Sequence, residues 1–561
     1  MKNFLLFSLS VLLVQQAFSQ CDTLRYKHAI FNDVTVHKDI KYGEGQVWNI
    51  PYNNTDLFMD IYEPTNDTLT KRPLMIWVHP GGFLNGSKEA EDMVALCDSF
   101  ARRGYVTVSI DYRKGFNPLS TNSAERAVYR GTQDARSAIR FMKEYRNDYG
   151  IDTNYTFIGG SSAGGFSSLH TAYLEQHEAP SSIQGSLGVP NLGDLDDSGN
   201  PYMHEMNLTG IVNLWGAIGD SNWVSSHETV PALLVHGTND GTVPYGVGHP
   251  FGVFTTPITH GTRSVSNQLD LHGITHQTLV FPGEGHEPHG TSNGDFEGNP
   301  PTPYWDTIFD AVRDHYFATI EPSEAVINSD DFVCLGDTIT ISAVNGNTFC
   351  WSGTNMEIIN DNGSSIDVVF NETGSQSVEV VNYSSIRANG KMQSKSIYVH
   401  PLPDANFDFN ITTEDVTFSA ETLGYADYFW DFGDGVTDEG FEVDHIYTTP
   451  GVYEVKLTTV DANGCSSTEI KTIDMSTLNI DDFAKTDLNM FPNPSTGITE
   501  LKASTTISNV EIYDLTGKKV LEKNIQNEEG SFSVESLNAG NYFTHVFFES
   551  GERAVLKLAV Q

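Results

Sequence analysis

The chain has 561 residues, with 73 acidic against 32 basic side chains and a formal net charge of −41. A surface this electronegative repels phosphate groups, so we do not expect nucleic acid or an anionic lipid face as a partner. The chain is too long for a single hydrophobic core, and its 49 glycines and 23 prolines indicate several domains.

Residues 1–19 have the pattern of a secretory signal peptide. Lys2 supplies the charged start, residues 4–14 form an apolar run, and an Ala-x-Ser cleavage pattern ends at Ser19. No later segment contains the roughly 18 apolar residues that a membrane-spanning helix needs. We therefore expect an exported protein without a transmembrane segment.

Five cysteines in an exported chain permit disulfides, and the odd count leaves at least one of them unpaired within the chain. Cys334 and Cys350 fall in one small predicted module and could pair. Cys21 with Cys97 is a second candidate pair, and the partner of Cys465 stays open.

Residues 20–322 alternate short β-rich runs with helical stretches, as in the strand over 74–78 and the helix over 89–103. This alternation predicts an α/β architecture with a mostly parallel central sheet. In the helix predicted over 127–145, apolar residues recur at three-, four- and seven-residue spacings, so one face packs on the sheet. The strands end in turns rich in Gly, Pro and Asp, and ligands bind at that edge of an open sheet.

The segment Gly160-Ser-Ser162-Ala-Gly164 follows an apolar strand and precedes a predicted helix over 166–174. The two glycines that flank Ser162 leave room for the sharp strand-to-helix turn of a nucleophile elbow, which exposes the serine hydroxyl above the sheet. We predict that Ser162 is a catalytic nucleophile, against the alternative that it only caps the helix.

A serine hydroxyl becomes nucleophilic when a histidine, oriented by a carboxylate, takes its proton. Asp240 follows the strand over 232–236, and His286 lies in the Gly-flanked loop after the strand over 277–281. The order Ser, Asp, His along the chain predicts that Ser162, Asp240 and His286 converge as a triad.

An oxyanion hole needs backbone N–H groups that point at the developing negative charge. Ala163, directly after the nucleophile, supplies one such group. The loop after the strand over 74–78 contains Pro80, which has no N–H, followed by Gly81 and Gly82. We therefore predict Ala163, Gly81 and Gly82 as the donors.

Residues from about 40 to 317 resemble an α/β-hydrolase of the carboxylesterase and lipase group, whose oxyanion loop is His-Gly-Gly-Gly. The residues that carry the resemblance are His79-Pro-Gly-Gly82, Asp60-Ile-Tyr-Glu-Pro64, the run from Arg103 to Arg113 and the run from Gly159 to Gly165. The resemblance implies a mostly parallel central sheet with helices on both faces, ester hydrolysis through an acyl-enzyme, and no cofactor or metal. By the same analogy His79 is structural.

Three other features have more than one interpretation. His289 is a plain loop histidine, a second candidate base, or part of a metal site with His286 and Glu287. The acidic loop over 193–201 is expected to be a surface turn. Tryptophan and methionine residues between the nucleophile helix and Asp240 suit a lid or acyl pocket as well as core packing.

Beyond Pro322 short alternating strands replace the helical pattern and predict all-β, Ig-like sandwich modules. We place one module over 323–402 and a second over 403–476. The second closely resembles a polycystic-kidney-disease (PKD) domain in Tyr428–Gly435 and His445–Val455. The resemblance implies spacing or adhesion to a polymer or cell surface, with Asp431 and Asp434 as candidate calcium ligands.

Residues 487–561 resemble the C-terminal sorting domain of the type IX secretion system. The matching motifs are Asn489–Gly497, Val510–Gly517 and Leu537–Tyr542. The resemblance implies export with that machinery as a partner, followed by release or attachment to the outer cell surface. A permanent adhesion module is the alternative.

These patterns predict a secreted serine carboxylic-ester hydrolase whose ester substrate could be a polymer. A serine peptidase of the same fold is the first alternative, because the triad does not distinguish esters from amides. The second alternative is a surface adhesin in which the β-sandwich modules carry the function.

Overall fold

The computed structural model describes residues 25–298, 302–412, 415–476 and 488–561. The predicted signal peptide and Cys21 lie outside these residues. The chain divides into two compact units, residues 1–401 and 402–561. Within the described ranges, no helix is long and apolar enough to cross a membrane.

The first unit contains an eight-stranded mixed sheet, which confirms the predicted α/β architecture. The strands up to residue 281 are β1 (Val34–Gln46), β2 (Asn54–Pro64), β3 (Arg72–Val78), β4 (Val106–Ile110), β5 (Ile151–Ser161), β6 (Gly210–Leu214), β7 (Ala217–Ile218), β8 (Ala232–Gly237), β9 (Val247–Gly248), β10 (Thr259–Gly261) and β11 (His276–Phe281). The large sheet has the order β1-β2-β4-β3-β5-β6-β8-β11, and β7, β10 and β9 form a small antiparallel sheet. In the large sheet, every neighbouring pair from β4 to β11 is parallel.

Helices cover both faces of the large sheet. They are α1 (Glu91–Ala101), α2 (Thr121–Glu144), α3 (Ala163–Tyr173), α4 (Thr262–His272) and α5 (Pro303–Ile320). Leu74, Ile76 and Val78 of β3 pack in one core with residues of α2, α3 and α4. Met75 and Trp77, which point to the opposite face, pack with α1 and α5. Every residue of β3 is buried, as expected of a strand that is covered on both faces.

Helix α2 begins earlier than predicted. Ser120 caps it, and its side chain accepts a hydrogen bond from the backbone of the first turn. The buried Arg126 in the first turns donates to the carbonyl oxygens of Ser182 and Pro190. Polar side chains therefore fill part of the buried face of the helix, and apolar periodicity does not reveal them.

Residues 326–400 form a sandwich of two four-stranded sheets. The strands are β12 (Val326–Asn328), β13 (Phe332–Cys334), β14 (Thr338–Val344), β15 (Thr348–Gly353), β16 (Met356–Asp361), β17 (Ser365–Phe370), β18 (Gly374–Tyr383) and β19 (Gln393–His400). The sheet orders are β12-β14-β17-β16 and β13-β19-β18-β15. The sandwich core includes Ile341, Trp351 and Val380.

The loop after β18 is buried in the core of α1 and α5 instead of the sandwich core. Ile386 and Ala388 belong to that cluster, and the Tyr26 hydroxyl donates to the carbonyl oxygen of Ile386 at 2.7 Å. The last helix of the α/β part, α5, ends at Ile320, and the first strand of the sandwich, β12, begins at Val326. The loop at Ile386 and Ala388 nevertheless packs into the core of the α/β part, and both parts lie in one compact unit.

The second unit is all-β, as predicted. Its strands are β20 (Phe407–Thr412), β21 (Asp415–Ala420), β22 (Asp427–Asp431), β23 (Thr437–Glu439), β24 (Glu442–Ile446), β25 (Val452–Val460), β26 (Ser466–Asp474), β27 (Asn489–Phe491), β28 (Ile498–Tyr513), β29 (Lys519–Ser533), β30 (Gly540–Phe548) and β31 (Arg553–Val560). Sheets β20-β21-β24 and β23-β22-β25-β26 enclose a core around Trp430 and Phe418. The last sheet has the order β27-β28-β30-β31, and β29 also pairs with β28.

The cysteines differ in part from the expected pairing. Cys97 on α1 is a buried free thiol, so the candidate pair Cys21 with Cys97 is wrong. Cys334, Cys350 and Cys465 are disulfide-bonded. Cys97 lies in the apolar core of α1 and α5, and burial raises the pKa of its thiol. The residue therefore packs as a small apolar side chain.

Candidate active site

Ser162 lies at the sharp turn between β5, which ends at Ser161, and α3, which begins at Ala163. Its φ of 54° is in the left-handed region, which is rare for a non-glycine residue. The turn needs both flanking glycines. A Cβ on Gly160 would lie 2.3 Å from the carbonyl carbon of Gly164, and one on Gly164 would lie 1.8 Å from a β3 carbonyl oxygen.

The structure brings Ser162, Asp240 and His286 together from three separate loops. His286 Nε2 lies 2.8 Å from Ser162 Oγ, and His286 Nδ1 lies 2.7 Å from Asp240 Oδ2. The other carboxylate oxygen of Asp240 accepts hydrogen bonds from the backbone N–H groups of Thr242 and Val243, both at 2.8 Å. The imidazole is thus held between a hydroxyl and a carboxylate.

The environment of Asp240 keeps its carboxyl group ionised. Burial acts to raise its pKa, but hydrogen bonds from His236 and His286 outweigh burial and lower the pKa well below its usual range. His236, at the end of β8, was not predicted as a site residue. Its Nε2 lies 3.1 Å from Asp240 Oδ2 and 3.1 Å from the carbonyl oxygen of Val243. The only sequence signal was a histidine that ends an otherwise apolar strand.

The predicted oxyanion loop turns tightly below Ser162. Gly81 and Gly82 both have positive φ, 117° and 58°, and the N–H groups of Leu84 and Asn85 donate to the Gly81 carbonyl oxygen at 2.9 Å. Of the predicted donors, Gly82 and Ala163 line the cavity that contains Ser162. Gly81 forms the turn that presents Gly82.

His79 lies beneath this loop and is fully buried. Its ring stacks on Tyr112 with 4.3 Å between centroids, and its Nδ1 lies 2.5 Å from the carbonyl oxygen of Pro80. Burial lowers the pKa of His79 to about 3, so the ring is neutral at physiological pH. These contacts agree with a structural role.

His289 does not face Ser162. It is fully buried, its ring stacks on Trp215 at 4.9 Å, and its Nε2 lies 3.8 Å from Asp92 Oδ2. Burial and the nearby His286 lower its pKa to about 4. His289 is therefore a core histidine behind the site, and His286 occupies the position of the base.

Two buried carboxyl groups lie behind the His286 loop. The sequence named Glu287 only as a candidate metal ligand and did not identify Asp92 as a site residue. Glu287 Oε1 lies 3.8 Å from His286 Nε2, and its other oxygen accepts from the backbone N–H of Gly294. Asp92 Oδ1 accepts from the N–H of Met93 at 2.8 Å. Burial is the main cause that raises the pKa of both groups, and their mutual repulsion contributes at Asp92.

The other features with several interpretations have structural roles. Asp196, in the loop expected to be a surface turn, bonds Arg136 at 2.6 Å and Arg140 at 2.7 Å and so ties that loop to α2. Trp215 is buried in the core of α1 and α5, whereas Trp223 lines a cavity next to the Ser162 cavity.

The candidate metal and calcium ligands take part in other contacts. Among the described residues, one group of acidic and histidine side chains is spaced closely enough to hold a metal, namely Glu175, His227 and Glu228. This group does not include His286 or His289. In the second unit, Asp434 bonds His445 Nε2 at 2.8 Å and Asp431 accepts from the Gly433 N–H at 3.0 Å.

Three segments of the chain match known families. Residues 59–218 match BD-FAE, residues 398–476 match the PKD domain, and residues 489–561 match the secretion system C-terminal sorting domain. Among curated proteins, carboxylesterase 3B of Mus musculus is 38% identical over 117 residues, which are 20% of this chain and 20% of that protein. Secreted lipase 4 of Gibberella zeae is 34% identical over 100 residues, 17% of this chain and 18% of that protein. The chain thus spans about a fifth of the length of these relatives.

Among solved structures, the propionate-bound esterase Est2 of Thermogutta terrifontis is 19% identical with a TM-score of 0.33, and the match covers 50% of this chain and 94% of that one. Esterase B of Lactobacillus rhamnosis is 15% identical with a TM-score of 0.33, and the match covers 57% of this chain and 96% of that one. The family matches confirm the three resemblances in the sequence. The chain therefore carries an α/β-hydrolase segment of the BD-FAE type, a PKD domain and a secretion system C-terminal sorting domain, which indicates secretion or attachment to the outer cell surface.

Proposed function

We propose that the protein is an exported serine hydrolase that cleaves carboxylic esters through an acyl-enzyme. The observation that carries the proposal is the hydrogen-bonded row of Ser162, His286 and Asp240, with distances of 2.8 and 2.7 Å between successive partners. The short matches to proteins named carboxylesterase and lipase support an ester, instead of a peptide bond, as the bond that is cleaved.

In the first half-reaction Ser162 Oγ attacks the ester carbonyl carbon while its proton moves to His286 Nε2. Asp240 accepts the hydrogen bond from His286 Nδ1 and stabilises the imidazolium ion. The negative charge on the former carbonyl oxygen is held by N–H groups of Ala163, Gly82 and Gly81. The carbon–oxygen bond then breaks, and His286 gives its proton to the departing alcohol.

In the second half-reaction a water molecule takes the place of the alcohol. His286 removes a proton from this water as it attacks the acyl carbon, and the proton then returns to Ser162 Oγ as the acid leaves. Each step uses groups of this chain and needs no metal or cofactor.

The remaining modules extend the proposal to where the enzyme acts. The sorting domain is handled by the secretion machinery, so we propose that the ester is outside the cell. The domain bounds 20–322, 323–402, 403–476 and 487–561 belong to the same proposal, with the two sandwich modules as spacers or polymer-binding parts.

The test is hydrolysis of p-nitrophenyl esters by the full-length chain and by Ser162→Ala. We expect the variant to lose at least about 10⁴-fold in kcat, as enzymes of this mechanism do when the nucleophile is removed. Ser168→Ala is the matched control, since Ser168 Oγ bonds only the Gly164 carbonyl oxygen of its own helix, at 2.9 Å, in the contacts of the described residues. Equal background rates in wild type and Ser162→Ala would overturn the proposal in favour of a peptidase or an adhesin.

A further inference from the structure

Glu287, the residue directly after the base, turns back toward it. Its φ of 52° is in the left-handed region, which is unfavourable for a residue with a side chain and is found mainly at functional sites. Its Oε1 lies 3.8 Å from His286 Nε2, the nitrogen that faces Ser162 Oγ. The imidazole therefore has a carboxyl group near each of its nitrogens, Asp240 at Nδ1 and Glu287 at Nε2.

The loop after the base links Glu287 to a second buried carboxyl group. Glu287 is 3% exposed, and its other carboxyl oxygen accepts from the Gly294 N–H at 3.2 Å. The Gly294 carbonyl oxygen accepts in turn from the N–H of Asp92, a fully buried residue of α1, at 3.0 Å. A Cβ on Gly294 would lie 2.2 Å from Asp92 Oδ1, so only glycine lets the loop pass this close. The two carboxyl groups are thus linked through one glycine.

The neighbours of Asp92 favour its neutral form. Asp92 Oδ2 lies 3.8 Å from His289 Nε2, but burial lowers the pKa of His289 to about 4, so this ring is uncharged. Over the part of the chain that the structure describes, no lysine or arginine forms an ion pair with Asp92 or Glu287. Burial and the charge of Glu287 raise the pKa of Asp92 well above its usual range. Asp92 therefore holds a proton at neutral pH.

Glu287, in contrast, has a cation within reach. Burial is the largest cause and raises the pKa of Glu287, and Asp240 and Asp295 act in the same direction. The positive charge of protonated His286 and the hydrogen bond from Gly294 act in the opposite direction. When two carboxyl groups share a site, the one with fewer stabilising partners keeps its proton. The negative charge of the pair therefore lies on the carboxyl group next to His286.

We propose that ionised Glu287 is a positioning residue of the base, which stabilises the imidazolium form of His286 together with Asp240 while Asp92 stays protonated behind it. The inference rests on the proposed function, because His286 becomes an imidazolium ion when it takes a proton from Ser162 or from water. A carboxylate about 4 Å away favours that charged form. Salt screens this attraction little, since Glu287 is buried.

The test is the pH dependence of kcat/KM for p-nitrophenyl acetate with the full-length chain, because its acid limb reports the protonation of the base in the free enzyme. Glu287→Gln removes the charge but keeps an oxygen for the Gly294 N–H. We expect the midpoint of the acid limb to fall by about one pH unit, since an opposite charge nearby shifts a titration by about that much. On the alkaline plateau kcat should fall by about tenfold, the equivalent of one pH unit.

Asp92→Asn and Glu284→Gln are the matched controls. Asp92→Asn replaces a carboxyl group that is already neutral, so the midpoint should stay at the wild-type value. Glu284→Gln removes a charge from the same loop and keeps an acceptor for the Tyr304 hydroxyl, 2.8 Å away. Its midpoint should also stay, because within the described ranges Glu284 forms no ion pair with His286. Thermal denaturation checks that each variant is folded.

An unmoved midpoint in folded Glu287→Gln would overturn the inference, and so would a midpoint that moves in Asp92→Asn or equally in Glu284→Gln. If Glu287→Gln does not fold, Asp92→Asn decides: an unchanged midpoint supports the inference, and a shifted one places the charge on Asp92 and overturns it. These results leave the proposed function standing, because hydrolysis still depends on Ser162. Loss of the proposed function has a different signature, namely background rates in both wild type and Ser162→Ala.

Discussion

His236 Nε2 lies 3.1 Å from Asp240 Oδ2, the same oxygen that accepts the hydrogen bond from His286. The Val243 carbonyl oxygen, 3.1 Å from the same nitrogen, can only accept, so His236 Nε2 carries a proton. Its Nδ1 lies 3.0 Å from Thr262 Oγ1 at the start of α4. His236 thus links the carboxylate of Asp240 to Thr262, the first residue of α4.

We predict that His236→Phe lowers kcat by about 10- to 100-fold with little change in KM. The basis is that a hydrogen bond to a charged group contributes about 1.5–3 kcal/mol, and its loss lets Asp240 turn away from His286. Steady-state kinetics with p-nitrophenyl acetate measure the effect. His236→Gln, which can still donate to Asp240, should retain more activity, and equal losses in both variants would contradict a positioning role.

The second prediction concerns the stability of the core behind the His286 loop. Burial is the main cause that raises the pKa of Asp92, and repulsion by Glu287 adds to it. A carboxyl group whose pKa is raised on folding stabilises the folded protein below its unfolded pKa, and this contribution is lost as the pH rises through the folded pKa. Wild type should therefore lose stability as the pH rises from the unfolded pKa to the folded pKa of Asp92.

Asp92→Asn removes the ionisation but keeps an oxygen for the Met93 N–H group. We expect the difference in Tm between variant and wild type to move in favour of Asp92→Asn as the pH rises from 4 to 8. Thermal denaturation at several pH values tests this. A difference that is constant with pH would show that the pKa of Asp92 is the same in the folded and unfolded proteins.

The third prediction is that Gly164→Ala prevents the elbow from forming. The added Cβ would lie 1.8 Å from the backbone oxygen of Val78, and backbone cannot move aside as a flexible side chain can. We expect a loss of at least about 3 kcal/mol in the free energy of unfolding. Gly241→Ala is the control, because a Cβ there meets nothing within 4 Å. Urea denaturation of both variants gives the comparison.

The fourth prediction tests the packing of the loop after β18 into the core of α1 and α5. Ile386→Ala is expected to lower the free energy of unfolding by about 2–5 kcal/mol, since it leaves a cavity among the residues of α1 and α5. Ile359→Ala should change it by less than about 0.5 kcal/mol, because Ile359 is 57% exposed. If both variants behaved alike in denaturation, Ile386 would not be buried in solution.

Much of the site follows from local sequence patterns. The turn at Ser162 requires glycine at positions 160 and 164, because a Cβ at either position would clash with backbone atoms. This steric requirement can be recognised from five consecutive residues of the sequence. The positions of Asp240 and His286 could be predicted because each follows a strand, and the ends of parallel strands meet at one edge of a sheet. The helices on both faces of the sheet were expected only from the resemblance to α/β-hydrolases.

The tertiary structure alone decided which distant residues complete the site. His236 meets Thr262 at the start of α4, and Asp92 lies near His289 behind the site, because the elements that carry them pack side by side. Ile386 is buried against residues of α1 and α5, which are far from it in the sequence. Hydrophobic periodicity and turn preferences depend on a few neighbouring residues. The contacts above depend on how whole helices and strands pack together, which no local sequence pattern encodes.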